Sequence, residues 1–315
     1  MATDSKKISV TAPASIGNLG PGFDCLSLAV TLYLRVEVEA IERGLQVELA
    51  GRDMDRVEAN DKNLVIQSMA RLFRHLGRDF PPIRVTCDNE IPLSSGLGSS
   101  AAAIVAGLHA ANRCLEEPVS PSVLLRLAVE IEGHPDNVAA AQYGGFTISA
   151  IHHGSPNVRR FKVDFPHRIV AVHPPILGVT RDMRAILSPT VSREDAVFSL
   201  ANTAHLVSAF SLGDLSGLRP FFEDRLHQEQ RCKLLPYLRK AIEAGNAAGA
   251  YGAFLSGSGP TVGAITGPEN GDAVAAAIVE AISETVDGAV ESFILRVDNQ
   301  GVRDSQKQQV FGRSG

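Results

Sequence analysis

The segment Pro92-Leu93-Ser94-Ser95-Gly96-Leu97-Gly98-Ser99-Ser100-Ala101 constrains this chain more than any other. Two glycines in a serine-rich turn run directly into Ala101, Ala102 and Ala103. Alanine is the strongest helix former, and no bulky side chain crowds the turn, so the pattern predicts a tight loop feeding a helix over 99–114. Glycine permits close backbone approach and left-handed φ. The unpaired N–H groups and positive dipole end of the following helix favour an anion. The segment therefore reads as a phosphate cradle, with a plain serine-capped turn as the alternative. The Ser99 and Ser100 hydroxyls add oxygen donors, the ligand type that Mg2+ takes.

The same residues also satisfy Gly-x-Gly-x-x-Ala, a dinucleotide-binding pattern that requires an acidic residue about 20 positions later at the tip of a strand. Glu116 and Glu117 stand near that spacing, but they follow a helix and precede Pro118. No Gly-x-x-x-x-Gly-Lys-Ser/Thr loop occurs, which disfavours a P-loop hydrolase.

Two further glycine-rich stretches join strand-like segments. They are Ser15-Ile16-Gly17-Asn18-Leu19-Gly20-Pro21-Gly22-Phe23-Asp24 and Ser256-Gly257-Ser258-Gly259-Pro260-Thr261. Three such loops in one chain suggest backbone converging on a ligand. A fourth stretch, Glu130-Ile131-Glu132-Gly133-His134-Pro135-Asp136-Asn137, gathers polar groups between apolar helical runs at a break made by Gly133 and Pro135. Asp136 or Asn137 could simply cap the next helix, and His134 could be structural. Glu132, at a helix end where a negative charge opposes the dipole, points to a cation partner.

The remaining chain alternates strand and helix patterns with no repeat. Strands are expected over 8–12, 28–39, 83–87, 145–149, 168–173, 252–255, 261–266 and 292–297. Helices are expected over 63–76, 99–114, 120–132, 195–212, 234–248 and 271–282. A polar, turn-rich break at 152–157 marks an approximate boundary between domains at 1–155 and 156–300, and 301–315 reads as a frayed tail. With 315 residues, 44% of them hydrophobic, two modest cores are within reach. The formal charge of −5 leaves no broad basic surface for a nucleic-acid backbone. Four scattered cysteines indicate neither a disulfide framework nor a zinc knuckle, and no stretch approaches membrane-spanning length. A soluble cytoplasmic protein is expected.

Taken in order, the four motif segments resemble those of the GHMP superfamily of small-molecule kinases, and within it the homoserine kinase family most closely. Residues 92–103 resemble its nucleotide loop, Pro-x-x-x-Gly-Leu-Gly-Ser-Ser-Ala-Ala, and Ser256-Gly257-Ser258-Gly259-Pro260-Thr261 resembles its third motif. The closer likeness rests on residues 15–24, on His134-Pro135-Asp136-Asn137, on Thr180-Arg181-Asp182-Met183-Arg184, and on Leu226-His227-Gln228-Glu229-Gln230-Arg231, which resembles Leu-His-Glu-Pro-Tyr-Arg. Gln228 and Gln230 replace the more usual Glu and Tyr, and a short Gly/Ser loop common after Gly133 is missing.

The resemblance implies an α+β fold of two domains. The N-terminal domain would be ribosomal protein S5 domain 2-like and the C-terminal domain a ferredoxin-like α/β sandwich. It also implies ATP and Mg2+ as cofactors and L-homoserine as substrate, with a homodimer the usual arrangement among similar proteins. The implied nucleotide contacts run from Pro92 to Ala101 with Asn63, and the metal would lie between Ser100 and Glu132. Asn18 and Asp24 would hold the substrate ammonium, Arg184 and Arg231 its carboxylate, with Thr180, Gly257, His134 and Asp136 beside them. Two arginines suit an amino-acid carboxylate because a planar guanidinium fork binds it in two places. Asn137, with Asp136 and Ser100, falls where the reacting hydroxyl is expected, and Glu130 competes with Glu132 for the metal. The rival readings are a kinase of another small alcohol such as mevalonate or shikimate, a catalytically silent sensor, and a nicotinamide-dependent dehydrogenase.

Overall fold

The computed structural model describes residues 7–304 except 177 and 179. A seven-stranded sheet begins with β1 (Ile8–Gly17) and the long β2 (Leu26–Ala40), paired antiparallel. Their register shifts between Pro13 and Ala14, where a bulge absorbs a residue that has no N–H to give the ladder. β3 (Leu45–Gly51) lies parallel to β4 (Ile83–Asn89), and β4 runs antiparallel to β2. α2 (Ser99–Arg113) and α4 (Asp136–Tyr143) pack on this sheet, and α1 (Leu64–His75) and α3 (Pro121–Glu132) pack against α2. The α1 face formed by Val65, Ile66, Met69, Leu72 and Phe73 is buried, as its 3.6-residue spacing requires. α3 starts at Ser120 with Pro121 in its first turn and stops at Gly133 in left-handed conformation.

β5 (Phe146–His152) pairs with β2, and β6 (Ser155–Phe161) folds back on β5. The turn-rich break expected to divide the chain is thus the tip of a hairpin, and sheet membership continues to Phe161. β6 is an edge strand carrying Pro156 and the exposed Arg159 and Arg160, which hides it from a hydrophobic pattern.

The C-terminal half contains β7 (Arg168–His173), α5 (Thr180–Ala185), α6 (Arg193–Leu212), α7 (Gln228–Arg231), α8 (Leu238–Ala247), β8 (Ala250–Leu255), β9 (Val262–Thr266), α9 (Gly271–Ser283) and β10 (Glu291–Leu295). Its antiparallel sheet has the order β10-β7-β9-β8, the strand order of a ferredoxin-like α/β sandwich. Val170 and Val172 face α8 and α9, while Ile169 and Ala171 join the core under the larger sheet. One continuous core therefore ties the two halves together. The chain then returns to the first sheet as β11 (Arg303–Asp304), opposite Val10 and Thr11. Residues 301–304, expected to open a frayed tail, are instead held by backbone pairing and the Arg303–Asp298 ion pair, and 305–315 lie outside the described residues. Among the described residues no helix is long and apolar enough to cross a membrane.

Candidate active site

The three glycine-rich loops meet. Gly257 N–H donates to the Gly17 carbonyl (3.1 Å), the Ser256 hydroxyl donates to the Gly96 carbonyl (2.7 Å), and Thr261 N–H donates to the Ser95 carbonyl (3.1 Å). The loop after β8 therefore backs both of the others. Together they border a polar cavity of about 440 Å3, lined from one end to the other by Ser94, Gly96, Gly98, Ser99 and Ser100, then Glu132, His134, Asp136 and Asn137, then Asn18, Phe23, Asp24, Arg184, Arg231 and Gly257.

At the first end, Gly96 and Gly98 sit at φ 84° and 68°, the left-handed region. A Cβ on Gly98 would lie 2.1 Å from Ser15 Oγ, and one on Gly96 2.4 Å from the Ser256 carbonyl oxygen. Left-handed Gly98, rather than a serine, precedes the first turn of α2 and makes no side-chain cap. The N–H groups of Gly96, Gly98, Ser99, Ser100 and Ala101 consequently have no acceptor among the described residues. Such a nest at the positive end of a fifteen-residue helix is built to take an anion. The Ser95, Leu97 and Ala101 side chains are buried away from it, Ser95 Oγ bracing the loop through the Pro92 carbonyl, so these positions can contribute only backbone.

Ser100 Oγ donates to Glu132 Oε1 at 2.7 Å. Glu130, two residues earlier, points elsewhere and pairs with Arg71. Burial pushes the Glu132 carboxyl above its ordinary range, against the opposing effects of Ser100 and His134. Burial would lower His134, but the 2.6 Å hydrogen bond and charge of Asp136 outweigh it and raise the ring. Asn137 Oδ1 accepts from Ser15 Oγ (3.0 Å), leaving Nδ2 without a partner among the described residues. The N-cap of α4 is Pro135, with no side-chain cap bond, so neither Asp136 nor Asn137 serves as the cap that its residue type suggests.

At the far end, Asn18, Leu19 and Asp24 all adopt positive φ, strain that a loop keeps only where the surroundings enforce it. Asn18 enforces it. Its Oδ1 accepts from Asp24 N–H (3.0 Å) and its Nδ2 donates to the Gly257 carbonyl (2.9 Å). Asp24 receives both Arg184 terminal nitrogens, at 2.9 and 2.7 Å, and this pairing raises Arg184 further. Arg231 is only 1% exposed. Its Nε donates to the Met183 carbonyl, and one Nη reaches the Gly257 carbonyl and His227 Nδ1. The other Nη has no partner among the described residues, although the guanidinium lines the cavity. Burial and the like charge of Arg184 pull Arg231 down to about 10, still cationic at neutral pH.

Beside the phosphate loop lies a second, apolar pocket of about 220 Å3. It shares Ser94, Ser99 and Ser100 with the polar cavity and is walled by Leu34, Met54, Val57, Val65, Cys87 and Ala103. Asn63 lines it too, although its Oδ1 also caps α1 through Val65 N–H. Thr180 begins α5. The predicted residues on all four segments are thus brought together. Phe23 and His227 escaped prediction as site residues although both lie inside motifs quoted for other positions, and the apolar pocket has no polar signature to betray it.

Family models match twice: "GHMP kinases N terminal domain" over residues 63–145 and "GHMP kinases C terminal" over 206–284. A homoserine kinase of Desulfitobacterium hafniense is 38% identical over 294 residues, covering 93% of this chain and 98% of the relative. One of Caldanaerobacter subterraneus is 40% identical over 85% of this chain and 86% of its own. The crystal structure of homoserine kinase from Cytophaga hutchinsonii superposes with a TM-score of 0.82 at 29% identity, covering 96% and 99%. That of Methanococcus jannaschii mevalonate kinase, at 15% identity and a TM-score of 0.70 over 94% and 100%, shares the fold.

Proposed function

The chain belongs to the homoserine kinase family of GHMP kinases, and from that premise we propose that it transfers the γ-phosphoryl group of ATP to the side-chain hydroxyl of L-homoserine. The products are O-phospho-L-homoserine and ADP, a step toward threonine. The observation that carries this reading is the distribution of charge along one cavity. An anion-accepting helix terminus stands at one end, and a carboxylate and two guanidiniums stand at the other.

The apolar pocket beside Ser99 suits the nucleobase, and the unpaired loop N–H groups suit the phosphates. Ser100 and Glu132 offer two adjoining oxygen donors beside the phosphate loop. They fit Mg2+, which would neutralise phosphate charge there. At the acceptor end, Arg184 and the free edge of Arg231 suit a carboxylate. The carboxylates of Asp24 and Asp136, which with His134 bring their ligating atoms within 4.8 Å of one another, suit an ammonium.

Phosphoryl transfer passes through a loose transition state, so orientation and charge neutralisation can supply most of the rate. Asn137 Nδ2 is free to orient the acceptor hydroxyl, while Asp136 is engaged by His134. The oxygen–phosphorus bond then forms as the bond to ADP breaks, and the hydroxyl proton leaves to phosphate or solvent.

A coupled ADP-release assay across L-homoserine, mevalonate, shikimate and galactose tests the proposal. Turnover is expected with homoserine alone. Preference for another alcohol would reassign the acceptor, and homoserine binding without ADP release despite Mg2+ would favour a sensor.

A further inference from the structure

His227 is fully buried, is not among the residues lining the polar cavity, and has no place in the chemistry above. Its two ring nitrogens nonetheless join the two halves of the acceptor end. Nε2 lies 2.8 Å from the Gly20 carbonyl oxygen, within the strained loop that carries Asn18 and Asp24. Nδ1 lies 3.0 Å from an Arg231 Nη. A carbonyl cannot donate and a guanidinium cannot accept, so only one form of the ring satisfies both contacts: hydrogen on Nε2, a bare lone pair on Nδ1. Burial lowers the imidazole and keeps it in that neutral form. Asp224, 3.6 Å from Nε2, is occupied by the backbone N–H groups of Leu226, His227 and Gln228, so it fixes the turn before α7 and places the ring. Phe23 stacks on the imidazole at 5.2 Å and also faces the Arg184 and Arg231 guanidiniums.

We infer that His227 is a positioning residue for substrate selection: a strut that fixes the Arg231 fork at a set distance from the loop bearing Asp24, and so matches the site to the spacing of an α-ammonium and α-carboxylate. This rests on the acceptor reading proposed above. Arg231 acts on the substrate, and His227 acts through Arg231. Its hydrogen bond uses one Nη, so the opposite edge stays turned to the cavity.

The test compares His227→Phe, which keeps the stacking on Phe23 but loses both hydrogen bonds, with His227→Asn, whose carbonyl can restore the acceptor for Arg231. For His227→Phe the KM for homoserine is expected to rise about 10- to 100-fold, with the ATP KM within about twofold and kcat little changed, the pattern of lost ground-state binding. His227→Asn should recover most of that loss at equal thermal stability. Unchanged homoserine KM in His227→Phe, parallel rises in both KM values, or an Asn variant no better than Phe would each overturn the inference. Should the variants fail to fold, the two-bond imidazole 15N spectrum of the unaltered protein decides: an Nε2–H tautomer is expected, and an Nδ1–H or doubly protonated ring refutes it. If the unaltered protein prefers another alcohol, the acceptor assignment falls separately, without bearing on the tautomer.

Discussion

Gly98→Ala examines how the phosphate loop and the acceptor site are joined. The new methyl meets two obstacles. At φ 68° a side chain other than hydrogen costs about 1–2 kcal/mol, and the Cβ would stand 2.1 Å from Ser15 Oγ, where ordinary contact begins at 3.4 Å. Ser15 is buried and held by its own N–H on the Leu97 carbonyl and by its hydroxyl on Asn137, so it can yield only by breaking its contact with Asn137. Overpacking of this kind adds about 1–3 kcal/mol. The total loss of stability is therefore about 2–5 kcal/mol, and a displacement of Asn137 on the order of 1 Å should lower kcat by about 100-fold. Urea unfolding and steady-state kinetics measure both. The decisive comparison is Gly98→Ala in a Ser15→Ala background, where the clashing oxygen is gone and the cost should fall toward the backbone term of about 1–2 kcal/mol, with the Ser15 backbone N and O still 3.2 Å from the new Cβ. If Gly98→Ala costs the same in both backgrounds, the steric link from loop to Asn137 does not exist.

Two further outcomes follow from partly buried positions on α2. Ala103→Leu narrows the apolar pocket on a helix that leucine suits, so the ATP KM should rise at least about tenfold with the homoserine KM unchanged; equal KM values for ATP before and after would dissociate that pocket from the nucleobase. His109, inside α2 and pushed down to about 4 by burial, contributes stability that is fully present above its unfolded value near 6.5 and is lost as pH falls toward 4. Between pH 7 and pH 5 this amounts to about 2 kcal/mol, and His109→Leu should flatten that part of the urea-denaturation profile; an unchanged slope would mean that the ring is not held neutral.

What could be read from the chain depended on whether the relevant atoms were neighbours in sequence. The phosphate loop was legible because its glycines, its serines and its alanine helix are contiguous, and the helix start supplies the N–H groups whatever surrounds it. α1, α3, β7 and α9 were legible from period and punctuation. β3 and β6 were not: both are half-exposed edges, and β6 looks like a loop until the His153-Gly154 turn folds it onto β5. Glu130 and Glu132 could not be told apart without helix rotation, since residues two apart face opposite ways; in the fold Glu130 pairs with Arg71 and Glu132 meets Ser100. The Asp24–Arg184 ion pair spans 160 positions, and no local pattern encodes it.

The Gly257 carbonyl, shared by Asn18 and Arg231, lies one residue on from the Ser256 hydroxyl that steadies Gly96. One short turn from the C-terminal half therefore braces both the phosphate loop and the loop bearing Asp24, and under the proposed function it would serve donor and acceptor at once. Its geometry is common property, so a descendant or a designer seeking a new acceptor has little freedom there without disturbing the triphosphate grip. The adjustable positions are side chains reaching in from α5 and α7. An inherited backbone with exchangeable arms is how one scaffold can pass from alcohol to alcohol while its hold on nucleotide stays fixed.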